Sequence, residues 1–133
     1  AEAAEEHANA RHAINNIVIW GGGNNLHQGA TPTEIVRGFH SILRFAASAF
    51  PHAHVAILSF LPRPDTLPTV VAVTNRIMQQ HFPKQFLHLP FDRTSHLTGI
   101  HLNMAGLLLA CHGLQLHLGI RVDRHVIPVT EAN

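Results

Sequence analysis

Apolar and polar positions along the chain fall into three short, dense apolar runs separated by longer stretches of helical spacing. The runs are Ile17-Val18-Ile19-Trp20, Val55-Ala56-Ile57-Leu58-Ser59-Phe60-Leu61 and Gln85-Phe86-Leu87-His88-Leu89. Short apolar runs bounded by turn residues suit buried parallel strands, which predicts strands over 17–20, 55–61 and 85–89. Between the first two, Ile35, Phe39, Ile42, Leu43, Ala46 and Phe50 recur at helical spacing. Thr31-Pro32-Thr33-Glu34 starts that helix with an N-cap threonine, a first-turn proline and a capping-box glutamate, and Pro51 stops it. A second helix is predicted over 68–81, with Val70, Val73, Ile77 and Met78 on one face and Phe82-Pro83 at its end. Residues 90–98 read as a polar loop. Asn103 then caps a last helix over 104–116 that is apolar nearly all round, which predicts burial.

Alternation of strand and helix argues for an α/β fold, a parallel sheet with helices on both faces. Residues 1–117 read as one domain. A further helix is expected over 2–13, acidic early and basic late as the helix dipole favours. Residues 118–133 read as an extended tail in which Arg121, Asp123, Arg124 and His125 alternate loosely with Val122 and Val126, suiting an edge strand or an arm on a neighbour.

Composition narrows the functional classes. Apolar residues make up 46% of the 133 positions, which excludes a disordered chain. Charged residues are 13%, thin cover for a whole free surface, so a subunit of an oligomer or larger complex is expected. Net charge is +1 with no basic stripe, which argues against nucleic-acid binding by this domain alone. No window is long and apolar enough to span a bilayer, and the first residues lack the order of a signal peptide. The single cysteine, Cys111, lies in an apolar run and reads as a small buried hydrophobe. Among the thirteen histidines, His7/His12, His96/His101 and His112/His117 are each five apart rather than four, and no HExxH motif occurs. Neither a metal site nor a cofactor is expected.

Chemistry is expected where the first strand ends in Gly21-Gly22-Gly23-Asn24-Asn25. Glycines permit a tight turn, and in open α/β sheets ligands sit beyond the carboxyl ends of strands. Three consecutive glycines are not GxGxxG and no P-loop lysine follows, so a phosphate or nucleotide site is the weaker reading.

Four stretches together resemble the SGNH (GDSL-type) hydrolase family. They are Gly22-Gly23-Asn24-Asn25 after a strand, Thr31-Pro32-Thr33-Glu34-Ile35 opening a helix, Leu58-Ser59-Phe60-Leu61-Pro62-Arg63-Pro64, and Gly99-Ile100-His101-Leu102-Asn103-Met104-Ala105-Gly106. The resemblance spans about residues 13–116, and its style is similar to esterase-like domains of LINE-type retroelements. It implies a three-layer flavodoxin-like α/β/α sandwich and hydrolysis of ester or acyl bonds. It places His101 at the base, Asn24 at the side-chain oxyanion donor, Thr98 at the position of the acid, and Gly22, Gly23 and Asn25 beside the substrate. Two departures follow. The Gly-Asp-Ser nucleophile block does not occur, and Thr98 stands where the family has an acid, with Asp92 earlier in the same stretch as a substitute. The resemblance therefore implies a non-catalytic structural or interaction subunit. The alternative is the carboxyl-terminal portion of an esterase whose serine comes from another segment or chain. In the flavodoxin strand order 2-1-3-4-5 this chain supplies strands three to five, so the edge of 17–20 should be covered by another polypeptide or by the tail.

Overall fold

The computed structural model describes residues 13–119. The expected 2–13 helix, Ala13 apart, and the tail beyond Gly119 lie outside the described residues. The chain folds as a mixed α/β structure around a small parallel sheet. β1 (Asn16–Ile19) pairs with β2 (His54–Leu58), and β2 with β3 (Phe86–Leu87), in sequential order. Between them run α1 (Gly23–His27), α2 (Pro32–Ala49) and α3 (Pro68–His81). After β3 come α4 (Arg93–His96), the hairpin of β4 (Leu97–Thr98) and β5 (His101–Leu102), and α5 (Met104–Leu118).

Alternate residues of a strand point to opposite faces, and the cores divide accordingly. Ile57 and its register partner Phe86 face α2 and α3, packing with Ile35, Val36, Phe39, Phe60, Val71, Met78 and Phe82. Leu58 faces the other way, toward Leu89 and Ala110 of α5, with Leu87 and Leu114 at the margin. Helices therefore cover both faces of the sheet, as the alternation of elements predicts.

The capping reading holds in detail. The Thr31 hydroxyl accepts the Glu34 amide at 3.2 Å, and the Glu34 carboxylate accepts the Thr31 amide at 3.1 Å. Asn103 caps α5 by accepting the Gly106 amide at 2.9 Å.

Four expectations are corrected. The second strand stops at Leu58, because the buried Asn75 side chain takes both backbone groups of Phe60: its carbonyl accepts the Phe60 amide at 2.8 Å and its NH2 donates to the Phe60 carbonyl at 3.3 Å. The third strand shortens to Phe86–Leu87, since the Leu89 amide donates to the Ser59 hydroxyl instead of to a strand. Residues 90–98 are not all loop: Asp92 caps α4, accepting the Thr94 and Ser95 amides at 3.1 and 2.9 Å. Finally, α5 runs to Leu118 and is not buried all round. Gly106, Ala110 and Gly113 form its inward stripe, while Leu108 is 48% and Leu116 72% exposed.

That stripe brings α5 close to its neighbours. A Cβ on Gly106 would collide with the His96 carbonyl, and one on Gly113 would stand 2.5 Å from Leu89 Cδ2. Gly38 in α2 has open space around it. Gly38→Ala should therefore raise stability by about 1 kcal/mol, the helix-propensity gain. Gly106→Ala should lower it by about 1–3 kcal/mol despite that same gain, because a backbone carbonyl cannot yield. Urea denaturation of the two variants checks the contrast.

Candidate functional site

At the carboxyl ends of β1 and β2 the chain forms a cleft of about 400 Å³. Trp20, Gly21, Gly22, Gly23, Asn24 and Asn25 line one side, Phe60, Leu61 and Arg63 the floor, and Ile100, His101 and Leu102 the other side. The residues singled out from the glycine block and from the GIHLN block thus meet across one opening.

The glycine side is built by backbone geometry. Gly22 has φ +89, a conformation that disfavours side chains, and a Cβ there would lie 2.8 Å from Phe60 Cε1. The turn leads directly into α1, so Asn24 sits in a short helical turn rather than in an open loop. The helical turn ends at His27, and Gln28 caps it. The buried Leu26 anchors this turn to the core.

His101 is placed by the hairpin. Gly99, at φ +62, occupies the first position of its two-residue connection, the place glycine favours in such hairpins. In the ladder Thr98 stands directly opposite His101, and opposed residues of an antiparallel pair share a face. Both are exposed, and no side-chain hydrogen bond joins them. Asp92 does not substitute as partner for His101. Its Oδ2 is spent on the Thr94 hydroxyl, the Ser95 amide and the Thr94 amide, bonds that hold its pKa down at about 2.

The proline-rich loop after β2 contributes what spacing alone does not reveal. The Arg63 side chain is only 10% exposed and donates through Nε and Nη2 to the two carboxylate oxygens of Asp65, at 2.9 and 2.5 Å. Its Nη1 donates to Asn24 Oδ1 at 2.8 Å. The His27 ring donates from Nδ1 to the Asp65 carbonyl at 2.7 Å. A four-residue chain of contacts, His27–Asp65–Arg63–Asn24, thus ties the glycine turn to the loop of residues 62–66. The sequence signal was opposite charges on either side of a proline, in Arg63-Pro64-Asp65.

The four serines lie elsewhere: Ser41 and Ser48 on the exposed side of α2, Ser59 fully buried beneath the Leu89 amide, and Ser95 in α4. Among the described residues no three His, Cys, Asp or Glu side chains gather into a metal-binding group. Nor is any described helix long and apolar enough to cross a membrane. No protein-family model matches the chain, and no curated protein is similar enough to match it.

The Asp65 carboxyl is held down from 3.8 to about 2, first by its hydrogen bonds from Arg63. A carboxyl whose folded pKa is depressed stabilises the fold above its unfolded value and loses that contribution as pH falls through the folded one. Order at the Arg63–Asn24 contact should therefore persist down to pH 3.8 and fade between there and about pH 2. Amide resonances of Gly23 and Asn24 followed by NMR report it. Asp65→Asn should remove this dependence while leaving the acid response of Thr94, which Asp92 controls.

Proposed function

We propose that this chain is part of an SGNH (GDSL-type) hydrolase-like domain, with the three-layer flavodoxin-like sandwich of that family, and that in its own right it is a non-catalytic interaction module. The observation that carries the proposal is one cleft holding the Asn24 amide and the His101 imidazole at the carboxyl ends of a parallel sheet. In the flavodoxin strand order, β1, β2 and β3 take positions three, four and five.

The interaction role is supported by β1. It pairs only with β2, so its other edge offers unpaired backbone groups among the described residues. Val18, on the α5 face of β1, is 42% exposed, and Trp20 just beyond the strand is 44% exposed. Neither lysine nor proline, two residues that commonly blunt a free edge, occurs in this strand. An added strand from another polypeptide would satisfy the backbone and cover these side chains.

A second reading, an esterase site completed from outside the chain, is favoured by the Asn24 amide. Its oxygen is already engaged by Arg63, which leaves its NH2 as a donor at the cleft. In this reading a serine on the strand added beside β1 would attack the ester carbonyl. His101 would take the serine proton, and the Asn24 NH2 would stabilise the resulting oxyanion.

Hydrolysis of p-nitrophenyl acetate by the chain together with the polypeptide bound at its β1 edge separates the two. The non-catalytic reading expects no turnover above solvent background from that assembly, and no change on His101→Ala. Turnover that His101→Ala abolishes would overturn the non-catalytic reading. For the open edge, sedimentation at rising concentration should show self-association that Val18→Lys weakens. A monodisperse monomer throughout, with no other polypeptide bound, would contradict the interaction role.

A further inference from the structure

We infer that Arg63 is a positioning residue: it fixes the Asn24 side chain so that both Nδ2 hydrogens are presented to the cleft as donors for an oxygen anion. The inference deepens the oxyanion reading of the cleft and rests on it for its chemical meaning.

The orientation follows from donor chemistry. A guanidinium has five N–H donors and no acceptor. The Asn24 atom 2.8 Å from Arg63 Nη1 must therefore be the amide oxygen. The NH2 on the other arm of the amide makes no side-chain bond among the described residues and is left for a ligand.

Arg63 can impose this orientation because it is itself immobilised. Two of its nitrogens are engaged by the Asp65 carboxylate. Its Nη1 and Cδ lie 3.2 and 3.6 Å from where a Gly23 Cβ would be, so the guanidinium lies close along the glycine turn. Pro62 and Pro64 flank it and limit the loop's backbone freedom. Lysine could not take over, because a single ammonium on a flexible stem cannot hold Asp65 through a fork and reach Asn24 as well. The ligand class is an oxyanion: the tetrahedral centre of acyl transfer, or a carboxylate in its place. A pre-aimed donor matters because one such group is worth about 10²–10³ in rate where it acts.

The test reads the Asn24 side-chain NH2 pair directly by 15N–1H NMR, assigned by its loss in Asn24→Asp. In the native chain 15N relaxation should give the pair an order parameter of about 0.85, that of a held group. In Arg63→Met it should fall below about 0.6, because the amide is then free to turn about Cβ–Cγ. Arg63→Lys should not restore it. The Phe60 amide, held by Asn75, should stay unmoved and so report an intact fold. If Arg63→Met fails to fold, Asp65→Asn serves, since it frees the guanidinium without removing it and should lower the order parameter partway. An unchanged Asn24 pair in a folded variant overturns the inference. The oxyanion reading fails separately: acetate titrated into the native chain should move the Asn24 pair, and a pair that depends on Arg63 yet ignores acetate would sink that reading while leaving the positioning role intact.

Discussion

The buried amide of Asn75 decides where the sheet ends and the cleft begins. Seated in α3, it accepts from and donates to the backbone of Phe60, the residue at which β2 would otherwise continue. A polar group buried without partners costs about 1–3 kcal/mol. Here two backbone groups and one side chain satisfy each other in the core. The consequence is directional: the chain leaves the sheet at Ser59 and turns across the top of β1 and β2, which delivers Arg63 to Asn24. Phe60 itself stays buried, edge-on to the Phe39 ring 6.2 Å away, and supports Gly22 from below. One helix residue thus links the α2–α3 core to the cleft wall.

The two faces of the sheet use different packing. On one, large side chains from α2 and α3 interlock with Ile57 and Phe86. On the other, α5 presents glycine and alanine, so its backbone approaches Leu58 and Leu89 closely. That closeness also sets the hairpin: the Gly106 seam admits the His96 carbonyl, which accepts the Asn103 amide at 2.9 Å. Asn103 in turn donates to the Ser95 carbonyl. The hairpin that carries His101 is therefore braced by the start of α5. The small residues confine the buried contact of α5 to a narrow stripe, which is why an apolar helix still keeps Leu108 and Leu116 at the surface.

Much of the fold was legible in the sequence because its signals are local. The capping box at Thr31, the proline start of α2 and the Asn103 cap each act within a few residues, and each forms as read. Strand lengths were overread, because apolarity marks burial rather than pairing. Ser59, Phe60 and Leu89 are buried yet spend their polar groups on side-chain bonds. The opposite error hid α4, where Asp92-Arg93-Thr94-Ser95 reads as solvated loop until the cap geometry is seen. In the cleft, Asn24 and His101 stood out from their neighbours in sequence, but Arg63 did not. Its role depends on Asn24 and Gly23 arriving from a distant part of the chain, a contact that no spacing rule encodes.

The glycine turn and the GIHLN segment meet over one cleft. A nitroxide attached at His101→Cys, in a Cys111→Ser background, tests this most directly by the NMR line broadening it causes. The account predicts strong broadening of the amides of residues 20–25 and of Arg63, with His54 and Lys84 at the opposite end of the sheet left sharp. Broadened signals at His54 and Lys84 beside a sharp Asn24 would contradict it.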